Sequence, residues 1–371
     1  MFSLSDLYVW PIKSMRGLQL SHAKVCNSGL AFDRILMVTD QAGKFITARQ
    51  FPHMLLFTPA LIIDGLCLTA PDGSSATIRF ADFSNELMPT EVWGDRFPSH
   101  VAPREINQWL SSFFPIPVQL RFAGIKSERR RKQLPDIPLA FADGYPFLLI
   151  NSASLEDLQG RTSAEISLAQ FRANMIVTGA TAWDEDNWAR IRIGKVDFKI
   201  AKPCRRCLLI TINHESGTRH PDGEPLTTLQ TFRRACDGSG DVDFGLHLVA
   251  ENSGIIRITD GITVLERKTP RQYLLNAGSQ QHRVQPHKTK NVTIIYQGQP
   301  VKGNNQQVLL EQLEEHGFSI PYSCRAGLCG SCRLKLISGQ VHPLKQDAIS
   351  DDRTILSCCC IPASDIELVP L

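Results

Sequence analysis

The chain has 371 residues, of which 43% are hydrophobic and 21% charged, a composition typical of a soluble globular protein with two or three domains. Its net charge of +3 is too small to indicate binding to a nucleic-acid polymer or to a membrane surface. The N-terminus lacks a basic region followed by an apolar one, and every apolar run is shorter than the roughly 20 residues of a membrane helix. We therefore expect a cytoplasmic protein.

The first part of the chain predicts mostly β-structure. Residues 4–70 alternate short apolar runs with turn residues, a pattern typical of strands. Within them, Asp64 and Gly65 separate two apolar runs, which predicts a hairpin turn at this pair. Residues 126–138 (KSERRRKQLPDIP) are polar and bounded by proline, so we expect a loop there.

The middle of the chain predicts a strand, a helix and then further strands. Residues 146–158 (PFLLINSASLEDL) indicate a strand that runs into a helix, with Ser152 or Ser154 as its N-cap. Residues 195–215 (KVDFKIAKPCRRCLLITINHE) predict two strands around a turn.

A change of composition separates the last part of the chain. Residues 266–288 lose apolar periodicity and are rich in Gln, Lys, His and Pro, which predicts a linker. Residues 291–303 then indicate two strands joined by a turn. Residues 308–317 (VLLEQLEEHG) predict an amphipathic helix with Gly317 at its C-terminal end.

Eleven cysteines in a reducing compartment indicate metal binding or redox chemistry where they cluster. Cys204 and Cys207 form a CxxC pair that leads into a predicted strand, whereas the thioredoxin motif uses a helix N-terminus to lower the thiol pKa. The nearby cations Lys202, Arg205 and Arg206 favour a thiolate, which is a good ligand for a soft or high-valent metal. A buried cysteine pair beside solvated arginines is the alternative. The sequence has no motif of a nicotinamide site, a P-loop NTPase or an HExxH zinc protease.

A second group of cysteines lies near the end of the chain. Cys324, Cys329 and Cys332 have the C-x4-C-x2-C spacing of plant-type ferredoxins, which hold a [2Fe–2S] cluster. The small residues between them let the backbone approach the cluster and direct N–H groups at its sulfur atoms. A fourth thiolate must come from elsewhere, and the SCCC run at 357–360 supplies it. A structural zinc site is the alternative, but a zinc ribbon would need a second tight cysteine pair.

Residues 307–332, followed by ILSCCCIP at 355–362, resemble the helix, the cluster loop and the final ligand of the ferredoxin family. The resemblance implies a β-grasp fold in which Cys359 and Cys360 are not ligands. The cluster ligands that it implies are Cys324, Cys329, Cys332 and Cys358.

Five runs in the first 265 residues resemble the MOSC family, and in particular the mitochondrial amidoxime-reducing component and its bacterial relatives. In chain order they are WPIKSMRG, FDRILMV, ITARQ, FRANMIV and KPCRRCLLITINHESG. The resemblance implies a mixed α/β and β-rich architecture. Its parts are an MOSC N-terminal β-rich domain at 1–120, an MOSC β-barrel domain with the cofactor at 121–265, the linker at 266–288 and a ferredoxin-like domain at 289–371.

Members of this family bind the molybdenum cofactor (Mo-molybdopterin) through one protein cysteine. By position this cysteine is Cys207, which would be the metal ligand and the catalytic residue, with Cys204 beside it. Arg49 is a further candidate whose orientation the sequence does not set. The other positions that contact the cofactor in the family are Lys13, Ser14, Arg34, Arg172, Asn174 and Arg206. Lysine and arginine suit the terminal phosphate of the pterin through charge-assisted hydrogen bonds.

The resemblance implies an oxidoreductase that reduces small N-hydroxylated compounds, including hydroxylamino bases, and that thereby serves detoxification. The mitochondrial members take electrons from separate haem and flavin proteins, whereas this chain carries its own ferredoxin domain. We therefore expect an NAD(P)H-dependent flavoprotein reductase to deliver single electrons to the [2Fe–2S] cluster, which relays them to the molybdenum site. We expect neither a nucleic-acid polymer nor a membrane as a partner.

Several alternatives stay open from the sequence. An MOSC domain could instead carry sulfur as a persulfide on Cys207, or the chain could transfer electrons without molybdenum chemistry. The proton donor is not assigned, because residues 184–186 and His214 are candidates only through their proximity to the motifs in sequence. Residues 129–132 (RRRK) predict a solvated loop, with a docking surface for an acidic flavoprotein or a phosphate contact as the alternative.

Overall fold

The computed structural model describes residues 2–124, 127–131, 134–274, 290–305, 307–322, 330–344 and 348–371. The chain divides near residue 274 into two compact units. Each unit contains its own clusters of buried apolar side chains, as independently folded domains do. The helices within these ranges are too short or too polar to span a membrane.

The first unit consists mainly of β-strands. They are β1 (Phe2–Val9), β2 (Leu18–Leu20), β3 (His22–Cys26), β4 (Gly29–Leu30), β5 (Leu36–Asp40), β6 (Thr58–Ile62), β7 (Gly65–Thr69), β8 (Ser75–Arg79), β9 (Leu87–Val92), β10 (Asp95–Val101), β11 (Val118–Phe122), β12 (Phe147–Asn151), β13 (Met175–Thr178), β14 (Trp188–Ile193), β15 (Val196–Arg205), β16 (Asp243–Ala250), β17 (Gly254–Arg257) and β18 (Gly261–Arg267). The α-helices of this unit are α1 (Arg104–Ser111), α2 (Ser152–Gly160) and α3 (Leu226–Phe232).

Seven strands of the first unit close into a barrel. Their order is β13-β12-β16-β15-β14-β18-β1, and β1 pairs with β13 to complete the ring. In β15, Val196, Phe198 and Ile200 are buried, while Asp197 and Lys199 between them are not. This alternation places one face of each strand in the barrel core, and closure leaves no edge of the ring unpaired.

A second apolar core lies on the outer side of the barrel. Strand β12 is buried on both faces, and its Leu148 and Ile150 pack with Leu158 of α2 and Leu229 of α3. Cys204, at the end of β15, belongs to the same core. The CxxC segment is therefore fixed between a barrel strand and the packed helices.

The N-terminal part contains a four-stranded sheet, β5-β11-β10-β9, and a three-stranded sheet, β6-β7-β8, which share a core with α1. The predicted hairpin is confirmed as β6–β7, but its turn is Ile63-Asp64, since Ile62 pairs with Gly65. The prediction placed the turn one residue too late. Gly65 instead lies in a strand, where a Cβ atom would stand 1.9 Å from the carbonyl oxygen of Ile78.

Two local predictions between residues 146 and 215 were wrong. The N-cap of α2 is Asn151, because β12 continues to this residue and its side chain accepts a hydrogen bond from the Ala153 amide at 3.2 Å. The second strand predicted after the CxxC pair is a 3-10 helix, Leu208–Thr211. A short apolar run fits a buried helical turn as well as a strand, so its periodicity could not separate the two.

The start of the predicted linker belongs to the first unit. Strand β18 continues to Arg267, and Tyr273 forms a β-bridge with Ala235. Arg271 is anchored by an ion pair with Asp243 at 2.7 Å. Residues 275–288 of the predicted linker lie outside the described residues.

The second unit has the β-grasp fold predicted for it. Its strands are β19 (Asn291–Tyr296), β20 (Gln299–Asn304), β21 (Arg333–Ser338), β22 (Val341–Pro343), β23 (Thr354–Leu356), β24 (Cys360–Pro362) and β25 (Ile366–Pro370), and its helix is α4 (Leu309–Glu315). The sheet order is β20-β19-β25-β21-β23, with β19 and β25 parallel. Leu309 and Leu313 of α4 are fully buried in its core, and Gly317 ends the helix with a φ of 84°.

The close contact at Gly65 predicts a position-specific loss of stability. Gly65→Ala would force the backbone of β8 away from β7, and we expect the free energy of unfolding to fall by about 1–3 kcal/mol. Gly261→Ala is the matched control, because no atom lies within 4 Å of a Cβ placed there. Urea unfolding of both variants tests this, and equal midpoints would contradict the account.

Candidate functional site

The two cysteines of the CxxC pair have different surroundings. Cys204 is 5% exposed, and burial raises the pKa of its thiol. Cys207 is half-buried and precedes the 3-10 helix at 208–211, so its thiol is the more accessible of the two. A guanidinium nitrogen of Arg49 (Nη1) lies 3.6 Å from the Cys207 sulfur. A more accessible sulfur with a cation beside it makes Cys207 the better placed metal ligand of the pair.

Arg206 is buried beside Cys207 and is held rigidly. Its Nε donates to the Phe244 carbonyl at 2.8 Å and its Nη1 to the Phe171 carbonyl at 3.0 Å. Its Nη2 is buried without a hydrogen-bond partner among the described residues. Gly245 leaves room for it, since a Cβ at this position would lie 3.3 Å from that nitrogen. Two bonds thus orient a third donor that has no acceptor in the part of the chain that the structure describes.

Arg172 repeats this arrangement. It is 9% exposed, and its Nη1 donates to the Met15 carbonyl at 2.7 Å while its Nη2 has no partner among the described residues. Its guanidinium lies over the ring of Trp10 at 4.3 Å. Burial, followed by the nearby charge of Arg34, lowers the pKa of Arg172 to about 9. A buried guanidinium in this state favours an anion as a ligand.

Arg34 and Asn174 position Arg172 instead of offering free donors. Arg34 pairs with Asp33 at 2.6 Å, and it donates to the Asn174 side-chain oxygen at 3.2 Å and to the Arg172 carbonyl at 2.8 Å. Asn174 in turn accepts from the Leu148 amide at 3.2 Å. The structure therefore brings these predicted residues together, with Arg34 and Asn174 as supports for the arginine between them.

Lys13 and Ser14 follow strand β1 in a tight turn. Lys13 is 6% exposed, donates to the Phe141 carbonyl at 2.8 Å and forms an ion pair with Asp143. Burial lowers the pKa of Lys13 to about 8 although the charge of Asp143 opposes this shift. Ser14 is 5% exposed and has a φ of 69°. The fold thus holds an ammonium group with a single carboxylate partner in the interior.

Asp143 was not identified from the sequence, because the run FADG carries no motif. Enclosure by the protein acts to raise its pKa, but the charges of Lys13 and Arg49 outweigh that effect and hold it well below the usual range. The indole nitrogen of Trp93 also donates to this carboxylate at 2.8 Å. Its side chain is 68% exposed although cations and an aromatic ring surround it. The carboxylate of Asp143 therefore stays exposed while it pairs with the buried Lys13.

His247 was also missed, since a single histidine in a strand gives no signal. It stacks on Tyr145, with ring centroids 4.8 Å apart. Burial, assisted by the charges of Arg206 and Lys202, lowers the pKa of His247 to about 3, so the imidazole is neutral at physiological pH. Its Nδ1 is buried without a partner among the described residues. A neutral ring can donate to or accept from a ligand beside Arg206.

We define the cation cluster as Lys13, Arg49, Arg172 and Arg206. A cavity of about 330 Å³ adjoins it and shares Arg172 with it. Tyr8, Trp10 and His214 line this cavity together with Arg16. The cluster and the cavity place cationic and aromatic groups side by side, as an anionic ligand with a planar ring requires.

The acidic residues near the motifs have structural partners. Asp184 accepts from the Trp188 indole at 3.0 Å and pairs with Arg267, and Asp186 pairs with Arg233 at 2.7 Å. Glu185 is 1% exposed, and burial raises its pKa. It accepts hydrogen bonds from the side chains of Asn151 and Ser154. These bonds hold α2 and the barrel together, so none of the three is a candidate proton donor.

The described residues of the arginine run at 129–132 lie in a loop, as predicted, and Arg130 is exposed, but Arg129 is not solvated. Arg129 is 1% exposed, pairs with Asp95 at 2.9 Å and donates to the carbonyls of Ala140 and Ala142. Arg131 donates to the Asp143 carbonyl at 2.9 Å. The run therefore braces the segment that carries Asp143, while Lys132 lies outside the described residues.

In the second unit, the sulfur atoms of Cys332 and Cys358 are 3.2 Å apart and both side chains are buried. The hydroxyl of Ser357 donates to the Cys332 carbonyl at 2.9 Å and fixes the two segments together. The Cys360 sulfur is directed at the Ala348 carbonyl, 3.6 Å away. The predicted ligands Cys324 and Cys329 lie outside the described residues.

Both sets of residues fit the groups that the sequence predicts. The unpartnered nitrogens of Arg172 and Arg206 and the accessible thiol of Cys207 match an anionic cofactor that ends in a phosphate and takes one thiolate ligand. Cys332 and Cys358 present two thiols at one point, as a ligand pair of an iron–sulfur cluster requires.

Three family profiles match the chain in order. They are the MOSC N-terminal beta barrel domain at residues 1–117, the MOSC domain at 136–263 and the 2Fe-2S iron-sulfur cluster binding domain at 292–363. The chain is therefore a MOSC protein fused to a ferredoxin domain.

Individual relatives show to which family of MOSC proteins the chain belongs. Mitochondrial amidoxime-reducing component 1 of Mus musculus is 30% identical over 281 residues, which cover 71% of this chain and 82% of the relative. The human protein of the same name is also 30% identical over 281 residues, covering 71% of this chain and 83% of the relative. The chain belongs to the family of the amidoxime-reducing components.

The burial of Lys13 predicts a pH dependence of stability. The folded pKa is about 8 and the unfolded value 10.5, so the unfolded state binds the proton more tightly between these values. We expect the free energy of unfolding of the wild type, relative to Lys13→Met, to rise by on the order of 2–3 kcal/mol from pH 7.5 to 10.5.

Urea unfolding at several pH values measures this difference. Lys24→Met, which removes an exposed lysine, controls for the change in net charge. A difference between wild type and Lys13→Met that does not vary with pH would contradict the description of Lys13.

Proposed function

We propose that the chain is a molybdenum-cofactor-dependent oxidoreductase that reduces N-hydroxylated compounds. The observation that carries this proposal is the accessible thiol of Cys207 beside buried arginines with unpartnered donors, in a member of the amidoxime-reducing component family. The amidoxime-reducing relatives indicate N-hydroxylated substrates, and we extend this chemistry to N-hydroxylated bases. We place the protein in the cytoplasm, where removal of such compounds would be a detoxification.

The reaction consumes two electrons and two protons and breaks the N–O bond, so that R–NH–OH becomes R–NH2 and water. When bound, the molybdenum cofactor would supply the two-electron reduction, and the [2Fe–2S] cluster would supply electrons one at a time. The protein contributes binding, orientation and access.

The residues of the first unit contribute to the cofactor site in different ways. Cys207 would hold the metal, and Arg49 places a positive charge 3.6 Å from its sulfur. Arg172 and Arg206, each with one nitrogen that has no partner among the described residues, would bind the anionic part of the cofactor. Lys13 adds a positive charge, but Asp143, its ion-pair partner, competes with an anionic ligand for it. Rigid supports on each arginine mean that little side-chain entropy is lost when the ligand binds.

The ferredoxin unit is proposed as the relay for electrons that come from an NAD(P)H-dependent flavoprotein reductase. Its match to the 2Fe-2S profile and the paired sulfurs of Cys332 and Cys358 support a cluster there. Attachment to the same chain replaces at least one separate electron carrier and keeps the donor at a high effective concentration.

A sulfur-carrier function has one observation in its favour. A persulfide on Cys207 would be stabilised by Arg49 in the same way as a thiolate. The content of metal separates the two functions, since the proposed enzyme needs one molybdenum per chain and a persulfide carrier needs none. Electron transfer without molybdenum chemistry likewise predicts iron alone.

The proposal predicts unequal effects of the two cysteines. Cys207→Ser should abolish molybdenum binding and lower the reduction of an N-hydroxylated purine at least a hundredfold, because a serine hydroxyl does not replace the thiolate. Cys204→Ser is the matched control and should retain most of the molybdenum, since this buried side chain contacts the apolar core.

Metal analysis and anaerobic turnover test both variants, with iron content as the check on assembly. Wild-type turnover and molybdenum content in Cys207→Ser would refute the proposal. Iron without molybdenum in the wild type, together with a persulfide on Cys207, would favour the sulfur carrier.

A separate experiment tests the ligands of the [2Fe–2S] cluster. Cys358→Ser should remove most of the [2Fe–2S] absorbance and stop turnover with the flavoprotein donor, because one of four ligands is lost. Turnover with a chemical reductant that reaches the molybdenum site directly should persist. Cys360→Ser, whose sulfur faces the Ala348 carbonyl, should keep the cluster. Equal loss of iron in both variants would contradict the ligand assignment.

A further inference from the structure

The turn between β9 and β10 has an unusual sequence. Val92 pairs with Asp95, so the loop has two residues, Trp93 and Gly94. Their φ angles are 54° and 83°, both in the left-handed region, as in a type I′ turn. Asparagine, aspartate and glycine are favoured at the first of these positions, and a bulky side chain there is strained by about 1–2 kcal/mol. Retained strain of this kind is typical of functional positions.

The indole of Trp93 is held from several sides. Its nitrogen donates to Asp143 at 2.8 Å. The ring of Phe45 contacts it edge-on, with centroids 4.7 Å apart and an interplanar angle of 62°. The guanidinium of Arg49 lies over the indole at 4.6 Å from the centroid. Trp93 nevertheless remains partly exposed, so the ring is oriented without being enclosed.

Arg49 joins this ring to the candidate metal ligand. The same guanidinium that covers the indole places its Nη1 3.6 Å from the Cys207 sulfur. The indole of Trp93 is therefore separated from the Cys207 sulfur by one side chain, that of Arg49. Asp143, which anchors the indole, is exposed and forms an ion pair with Lys13 of the cation cluster.

We propose that Trp93 is a specificity-determining residue that stacks on planar, heteroaromatic N-hydroxylated substrates and turns their N–OH group toward Cys207. The strained turn, the three anchors on the indole and the shared contact with Arg49 carry this inference. It rests on the proposed function, because it assigns the substrate side of the same site. Trp93 does not take part in the bond breaking.

Stacking of a base on an aromatic side chain contributes about 1–3 kcal/mol, which corresponds to a factor of roughly 5 to 150 in affinity. Trp93→Asn suits the type I′ turn, which offsets part of the stability lost with the contacts of the indole, so this variant should fold. The experiment compares an N-hydroxylated purine with a small aliphatic hydroxylamine. The ratio of their kcat/KM values should fall 5- to 150-fold in Trp93→Asn and less in Trp93→Phe, mainly through KM for the purine.

Trp109→Phe is the control for Trp93→Phe, since Trp109 lies on α1 and donates to Ser74. Molybdenum content is measured in every variant. An unchanged substrate ratio would overturn the inference, and so would an equal loss with both substrates, which would assign Trp93 a structural role.

If the wild type reduces neither compound, the proposed function fails and the stacking is tested by binding. Calorimetry with the unreactive aminopurine should then show weaker binding to Trp93→Asn than to wild type. Equal affinity, or no binding to either, would overturn the role of Trp93.

Discussion

Burial of positive charge without matching negative charge is the constraint on which the rest of the first unit depends. Arg172 and Arg206 are each more than nine-tenths buried, and each leaves one guanidinium nitrogen without a partner among the described residues. A buried donor without a partner costs about 1–3 kcal/mol, and more when it is charged. Such an arrangement is unfavourable for a fold alone and becomes favourable when an anionic ligand binds, so stability and cofactor binding are coupled here.

The fold supplies the support that this arrangement needs. Strand β16 and Phe171 hold the Arg206 side chain through backbone carbonyls, and Arg34, itself bonded to Asn174, fixes the backbone of Arg172. Two turns of the N-terminal part contribute Arg49, which contacts Cys207, and Trp93, which contacts Arg49. Because independent elements deliver the groups, none of them can move without breaking several bonds. This rigidity is what a cofactor site requires.

Asp143 is an acidic group of the site with a clear electrostatic role. It pairs with Lys13, lies under the influence of Arg49 and accepts from Trp93. Arg129 and Arg131 brace its segment from behind. A carboxylate among so many cations moderates their repulsion and also competes with an anionic ligand for them. The ferredoxin unit buries no comparable cluster of cations among its described residues. Its core of α4 and the β-grasp sheet holds the cysteine segments together.

The sequence by itself determined the order of the domains and predicted the two chemical sites, since the cysteine spacings and the PIKS, DR, FRAN and CxRC runs are local patterns. It also predicted some of the strands, among them β7, β12 and β19, and the C-terminal helix with its glycine cap. It placed the β6–β7 turn one residue late and predicted a strand where the apolar run Leu208–Thr211 forms a 3-10 helix.

The tertiary structure alone decided which cations have free donors. Arg34 and Arg172 look alike in the sequence, yet one is fully engaged and the other is not, because partners such as Met15 come from distant segments. Asp143, His247 and Trp93 had no local signal for the same reason. Their roles arise from contacts across more than forty residues of chain, which a local pattern cannot encode.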